Sequence, residues 1–236
     1  MRPASTASRF PVGVAFAAWA LAYAVALPLQ ALAIGLTGHA DESADRWPTS
    51  AMALGVSCLW IPLVVALVVV SRRWGGGSLR DDYRLGFRAV DLVGLPIGVV
   101  SQLALVPLVY WPLSTLFPDT FDATKVEERA TDLWNNASGA WVVVLVGIVA
   151  AGAPIIEEFV YRGLIQNALE ARLNDLLALV VGAAWFAAIH LQPVEFPGLF
   201  VVGLVFGLCW QRSGRLSCPI LAHVAFNATG LVLVAG

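Results

Sequence analysis

The chain has 236 residues, of which 59% are hydrophobic and only 13% are charged, and its mean hydropathy is +0.79. This apolar content exceeds that of ordinary soluble domains and predicts an integral membrane protein. The formal net charge is only -2, and no basic cluster with interleaved aromatic residues occurs, so the sequence argues against nucleic acid as a partner.

Seven apolar segments follow one another along the chain. The first runs from Phe10 to Leu36 and is longer than the roughly 7 to 15 residues of a signal-peptide core, so we expect a retained first helix. The segments cover about 11–36, 51–71, 92–117, 140–157, 176–191, 197–210 and 217–235, the sixth being short. Backbone groups in lipid must be satisfied internally, and barrel-like alternation is absent. The sequence therefore predicts an all-α, polytopic transmembrane helical bundle of about seven to eight helices.

The positions of the basic residues predict how the bundle is oriented, because positively charged loops stay in the cytoplasm. A cytoplasmic N-terminus puts most of the fourteen basic residues on the cytoplasmic side. These are Arg2, Arg9, Arg72, Arg73, Arg80, Arg84, Arg88, Arg162, Arg172, Arg212 and Arg215. Arg46, Lys125 and Arg129 lie outside. We expect a multi-pass protein of the cell membrane with its N-terminus in the cytoplasm.

Residues 72–91 form the one conspicuous linker, with Gly75-Gly76-Gly77 and five arginines. We interpret it as a solvated loop that anchors to anionic lipid, because the P-loop pattern is missing. We expect the linker to divide a two-helix N-terminal membrane portion, 1–91, from a membrane core, 92–236, that would carry the functional site, within what is effectively one membrane domain. The three cysteines are interpreted as packing residues.

Ionisable and amide side chains interrupt the later apolar segments. A charged group at the centre of a membrane helix costs on the order of 3 kcal/mol, so such residues suggest a functional site by default. They are Glu157, Glu158 and Arg162, then Phe186 with His190, then His223 with Asn227. If the turn at 172–175 projects about 10 Å into the cytosol, helix rise places Glu157, His190, His223 and Asn227 in one layer of the membrane.

Local spacing predicts different roles for the two glutamates. Glu158 and Arg162 are separated by four residues, which allows an ion pair along one helix face. Glu157 lies about 100° further round the helix and is free to face a cavity as a general base. Pro154 removes a backbone hydrogen bond just ahead, so we expect the helix to kink or widen there.

Three motifs carry a resemblance to a known family. They are Glu157-Glu158-x-x-x-Arg162, Phe186-x-x-x-His190 and His223-x-x-x-Asn227. Their order within apolar helices resembles the CPBP intramembrane proteases, also called the Abi or CAAX-protease family, which includes the type II CAAX prenyl endopeptidases. The resemblance implies that Glu157 and His190 activate a water, while His223 and Asn227 stabilise the oxyanion. Glu158, Arg162 and Phe186 would support them.

The function that this resemblance implies is that of an intramembrane endopeptidase. Its substrate would be a membrane-associated or lipidated, CAAX-like protein or peptide, and membrane lipids would surround it. Glu157, His190 and His223 could ligate Zn²⁺ with water as the fourth ligand, but HExxH is absent, and we favour catalysis by glutamate without metal.

Two further functions stay open at this stage. One is a proton-coupled transporter, in which Glu157, Glu158 and His190 would relay protons, although no symmetry between two halves is visible. The other is a non-catalytic membrane immunity or scaffold protein that has kept the protease fold.

Overall fold

A computed structural model describes residues 10–236, apart from the side chains of Asp45, Ala123, Thr124, Val126 and Glu127. Arg2 and Arg9, which the orientation argument uses, lie outside the described residues. All regular structure in the described part is helical, which confirms the predicted all-α class. The helices are α1 (Val12–Thr37), α2 (Thr49–Trp74), α3 (Leu79–Asp82), α4 (Ala89–Leu116), α5 (Ala123–Asn135), α6 (Ala140–Leu169), α7 (Asp175–Ile189), α8 (Phe196–Ser213) and α9 (Ser217–Ala235).

Six of these helices, α1, α2, α4, α6, α8 and α9, are long and apolar enough to cross a membrane. The predicted multi-pass bundle is thereby confirmed, and its orientation stays a prediction. One length differs from expectation. The sixth apolar segment extends to an 18-residue helix, α8, whereas α7 has only 15 residues. At 1.5 Å per residue, α7 covers about 22 Å of a hydrocarbon core of about 30 Å.

Helix α6 is not a regular α-helix. Two of its segments, Gly147–Gly152 and Phe159–Gln166, are π-helical, and α4 has a third at Ser101–Leu105. Pro154 lies two residues after the end of the first π segment, and its missing N–H breaks the regular hydrogen-bond ladder. The widening predicted at Pro154 is present, and Glu157 and Glu158 lie between the two wide segments. Such π segments occur frequently at functional sites.

Helices α4 and α9 approach each other very closely. A Cβ added to Gly98 would lie 2.8 Å from the backbone nitrogen of Phe226, and one added to Gly94 would lie 2.5 Å from the carbonyl of Cys218. Only glycine fits at these distances. The pair Gly94 and Gly98 therefore acts as a small-residue contact of the kind that joins membrane helices, and it holds the helix that bears His223.

The middle of the linker after α2 is buried in the protein. The carboxylate of Asp82, 5% exposed, accepts hydrogen bonds from the Ser71 hydroxyl at 2.6 Å and from the N–H groups of Gly76 at 2.7 Å and Gly77 at 3.1 Å. Tyr83 is fully buried and donates to the carbonyl of Leu67 at 2.7 Å. Asp82 and Tyr83 are thus buried, while Arg72, Arg73 and Arg80 are exposed, as expected for a solvated loop.

A buried carboxylate ties the start of α4 to the start of α9. Arg215 donates from Nε and Nη2 to the two oxygens of Asp91 at 2.9 and 2.6 Å, and the Ser217 hydroxyl donates to Asp91 at 2.6 Å. The hydrogen bonds to Asp91 raise the pKa of the Arg215 guanidinium. A bidentate pair of this kind fixes geometry as well as charge, so it sets how deep α9 sits beside α4.

Candidate active site

The predicted pair of Glu158 and Arg162 is present and completely enclosed. Arg162 donates from Nη1 to Glu158 Oε1 at 3.1 Å, and the side chains are 2% and 0% exposed. Arg162 also donates from Nη2 to the carbonyl of Gly203 in α8 at 3.0 Å. A buried charge is tolerated only when it is paired and hydrogen-bonded, so this arrangement lets α6 carry an arginine inside the bundle.

His223 of α9 lies between the two glutamates of α6. Its Nδ1 donates to Glu158 Oε1 at 2.8 Å, and its Nε2 lies 3.8 Å from Glu157 Oε2. The imidazole can therefore be held by one carboxylate while its second nitrogen faces the other. Glu157 has 26% of its side chain exposed, in contrast to the enclosed Glu158. The different surroundings agree with separate roles for the two residues.

Two phenylalanine rings enclose the charged groups. The Arg162 guanidinium lies 4.6 Å from the centre of the Phe186 ring and 5.6 Å from that of Phe206. Phe206 also stacks on the His223 imidazole at 4.6 Å. Such rings keep water away from the buried ion pair and attract the cation through their faces. Phe186 is 1% exposed, which agrees with the interpretation of this residue as support.

His190 lies at the end of the short helix α7, next to the same phenyl ring. Its imidazole contacts the Phe186 ring at 4.9 Å, and the His223 imidazole contacts that ring at 5.8 Å. The His190 Nδ1 donates to the carbonyl of Phe186 at 2.7 Å. This bond puts the hydrogen of neutral imidazole on Nδ1 and leaves the lone pair of Nε2 available as a base or a ligand.

The backbone after His190 has an unusual conformation. Leu191 has a φ of +54°, in the left-handed region that non-glycine residues rarely adopt. The strained residue ends α7 directly after the histidine, and its side chain is 82% exposed. The carbonyl groups at such a helix end lose their regular partners, and His190 itself is half-buried there.

Asn227 is engaged in a structural contact. Its Nδ2 donates to the carbonyl of Val149 at 2.8 Å, inside the first π segment of α6. One of the two amide hydrogens is used in this bond, and one is left for a ligand. The bond also gives the Val149 carbonyl a hydrogen-bond donor, because this carbonyl has lost its regular backbone partner in the π segment.

The expected metal ligands do not form a metal site in this structure. Among the described residues, no three His, Cys, Asp or Glu side chains lie together as a group that could hold a metal ion. Among the described contacts, Glu157 is close to His223. His190 has no described contact with either residue, but it packs against the Phe186 ring, which His223 also contacts. The residues therefore do not fit a three-ligand zinc site in this arrangement.

Several residues around the site were not singled out in the sequence. Phe206, the carbonyl of Gly203, and the hydroxyl groups of Tyr23 and Tyr161 all surround the motif residues. Tyr23 belongs to α1, far from the motifs in sequence. The one signal that could have revealed Tyr161 is its position four residues after Glu157, which puts both on one helix face.

Comparison with known proteins shows what the C-terminal part of the chain is similar to. Residues 139–229 match the family model described as "Type II CAAX prenyl endopeptidase Rce1-like". All three motifs fall inside this range. The resemblance to the CAAX-protease family is confirmed.

Three curated proteins are similar over longer or shorter parts of the chain. The "Uncharacterized 24.3 kDa protein" of Escherichia coli is 28% identical over 149 residues, 58% of this chain and 69% of that protein. The "Putative membrane peptidase YdiL" of Bacillus subtilis (strain 168) is 20% identical over 178 residues, 75% of this chain and 68% of that protein. The "Membrane-embedded CAAX protease MroQ" of Staphylococcus aureus (strain USA300) is 27% identical over 99 residues, 39% of each chain.

No solved structure matches the chain. The family match and the named relatives, together with the six apolar helices, support a multi-pass membrane protease.

Proposed function

We propose that this protein is an intramembrane endopeptidase that hydrolyses a peptide bond by means of a water activated by Glu157 and His190. One observation carries the proposal. Both histidines have Nδ1 held by an acceptor, Phe186 O for His190 and Glu158 for His223, so both Nε2 atoms are left for chemistry, and that of His223 lies 3.8 Å from Glu157. A catalytic imidazole held at one nitrogen and free at the other is the arrangement that general acid–base catalysis requires.

The reaction needs one proton acceptor and a partner for the oxyanion. The Glu157 carboxylate, with the Nε2 lone pair of His190, takes a proton from water as the water oxygen bonds to the peptide carbonyl carbon. The carbonyl oxygen becomes an oxyanion, which the Nε2–H of protonated His223 and the free amide hydrogen of Asn227 stabilise. The oxyanion then re-forms the carbonyl group as the C–N bond breaks and the proton passes from Glu157 to the peptide nitrogen, which gives an amine and a carboxylic acid that loses its proton to water.

The surroundings of Glu158 support this division of roles. Arg162 and His223 both donate to its Oε1, so this carboxylate is used for holding the cation and the imidazole. Its Oε2 is buried without a hydrogen-bond partner among the described residues. Glu157 keeps its carboxylate partly accessible, as a residue that must meet water and substrate does.

The proposed substrate is a membrane-associated or lipidated peptide, because the site lies among helices that cross the membrane and the matching family model is that of CAAX prenyl endopeptidases. The proposed mechanism has no step that uses a metal, so cleavage of the peptide is expected to survive a strong chelator.

The test uses quenched fluorescent peptides in liposomes that contain the wild-type protein or Glu157→Gln. Each peptide is made in two forms, one with a farnesyl group on its cysteine and one without. Cleavage by the wild type alone, unchanged by chelator, supports the proposal, and faster cleavage of the farnesylated form supports a lipidated substrate. Equal cleavage by Glu157→Gln removes the proposed base. Loss of cleavage with chelator and its return with Zn²⁺ shows a metal enzyme.

A further inference from the structure

Three aromatic side chains place polar hydrogens next to the proposed catalytic residues. Trp19 and Tyr23 come from α1, and Tyr161 comes from the second π segment of α6. The hydroxyl oxygens of Tyr23 and Tyr161 are 3.3 Å apart, which is hydrogen-bond distance. The Trp19 ring lies 4.8 Å from the Tyr23 ring, and its Nε1 is buried without a hydrogen-bond partner among the described residues.

The three polar hydrogens of this cluster cannot all find an acceptor within it. The indole supplies one N–H and each phenol supplies one O–H, and the two hydroxyl groups cannot donate to each other at the same time. One O–H is used between the two phenols, and even with the indole N–H directed at the nearby Tyr161 oxygen, one hydroxyl hydrogen stays unused. Buried donors in proteins are nearly always paired, so the cluster is suited to a ligand that contributes an acceptor.

The cluster adjoins the catalytic residues on two sides. The Tyr161 ring packs edge-on against Phe186 at 5.4 Å, the same ring that contacts both histidines. Tyr161 also follows Glu157 by four residues along α6, which puts the two residues on one face of that helix. An acceptor bound by the phenols would thus lie beside the proposed general base.

The motif residues themselves supply few free donors for a bound peptide. Asn227 gives one amide hydrogen to Val149, and His223 uses Nδ1 for Glu158. A peptide in an extended conformation has a carbonyl oxygen at every residue, and each needs a donor when it leaves water. The tyrosine pair offers a free hydrogen-bond donor, whereas the free donors of His223 and Asn227 are assigned to the oxyanion.

We propose that Tyr23, with Trp19 and Tyr161, forms a subsite that binds a backbone carbonyl oxygen of the substrate peptide next to the scissile bond. The inference rests on the proposed endopeptidase function and names a binding element for that site. It makes α1, which lies before the family-matched range 139–229, a functional part of the active site. Because the contact is formed on binding, the subsite acts on substrate affinity.

The main test is Tyr23→Phe, which removes one hydroxyl and keeps the ring. The loss of one hydrogen bond to the peptide is expected to raise KM about three- to tenfold, with kcat changed by less than about twofold. Tyr110→Phe is the matched control. The Tyr110 hydroxyl donates to the carbonyl of Val194 at 2.8 Å, away from the cluster, so the KM of that variant is expected to stay at the wild-type value.

A second measurement does not depend on turnover. In a Glu157→Gln background, anisotropy of a labelled, uncleaved peptide gives Kd with and without Tyr23→Phe, and Kd is expected to rise by the same factor as KM. Tyr161→Phe, judged in the same way, replaces Tyr23→Phe if the latter lowers the melting temperature.

The outcomes separate the subsite from the catalytic proposal. Wild-type KM and Kd in both tyrosine variants overturn the subsite even if the protein is a protease. A fall in kcat with unchanged KM also overturns it, because the hydroxyl would then act on the transition state. If the wild type binds the peptide without cleaving it, the endopeptidase function fails, and the Kd ratio alone decides about the subsite.

Discussion

His223 donates a hydrogen bond from Nδ1 to Glu158 Oε1 over 2.8 Å, so a histidine of α9 is oriented by a glutamate of α6. The same oxygen accepts a hydrogen bond from Arg162 at 3.1 Å. Glu158 therefore connects a buried cation to an imidazole, and it cannot at the same time act freely on a substrate. This contact separates the two adjacent glutamates into a holding residue and a reacting residue.

Glu157→Gln is expected to leave the protein folded and to abolish activity. The Glu157 side chain is 26% exposed and its contact to His223 is long, 3.8 Å, so its charge contributes little to stability. As the proposed base, it should account for at least about a hundredfold in rate. Thermal melting and peptide cleavage, measured on one preparation, check both statements. Turnover at the wild-type rate would contradict the assignment.

Glu158→Gln is expected to act mainly on stability. The change leaves the Arg162 guanidinium, 2% exposed, without its anion, and breaking a buried pair costs about 3 to 5 kcal/mol. Activity should fall in part, because His223 loses its charged acceptor. Reversible unfolding in denaturant gives the free-energy change.

The control for that variant is Glu195→Gln. It removes a pair with Arg129 whose side chains are 46% and 22% exposed, and such exposed pairs contribute about 1 kcal/mol or less. If Glu158→Gln melted like the wild type and lost as much activity as Glu157→Gln, the two glutamates would have exchanged roles.

Gly98→Ala is expected to destabilise the bundle and to reduce activity. The new methyl group would meet the backbone of α9 near Phe226, 2.8 Å away, so the helix that bears His223 must shift. Gly35→Ala in α1 is the control, because a Cβ there meets nothing within 4 Å. Alanine at that position should be neutral or slightly stabilising, by up to about 1 kcal/mol. Equal melting of the two variants would show that the contact is not tight.

Cysteine labelling tests the predicted orientation. Cys58, Cys209 and Cys218 are all buried and are replaced by alanine. A single new cysteine in a loop then shows on which side of the membrane that loop lies. In intact cells, a membrane-impermeant thiol reagent is expected to label Thr120→Cys and not Asp81→Cys, since the arginine-rich side is predicted to be cytoplasmic. Permeabilised cells serve as the control in which both are labelled. The reverse pattern would invert the topology.

Much of the site was predictable along single helices. The pairing of Glu158 with Arg162 follows from their spacing of four residues, and the irregularity of α6 follows from Pro154. Motif order was enough to indicate the family that residues 139–229 match. The burial of Tyr83 in the core was not predicted, because the arginines around it indicated only that the linker is solvated.

The sequence by itself determined the apolar helices, the identity of the polar residues inside them and the neighbours that each has on its own helix, because helical rise and turn are nearly constant. Only the tertiary structure decided that His223 is held by Glu158, that Asn227 donates to Val149, and that Tyr23 of α1 meets Tyr161. Contacts between helices depend on crossing, depth and rotation. The close approach at Gly98 and the π segments of α6 set these quantities here, and residue spacing along the chain does not encode them.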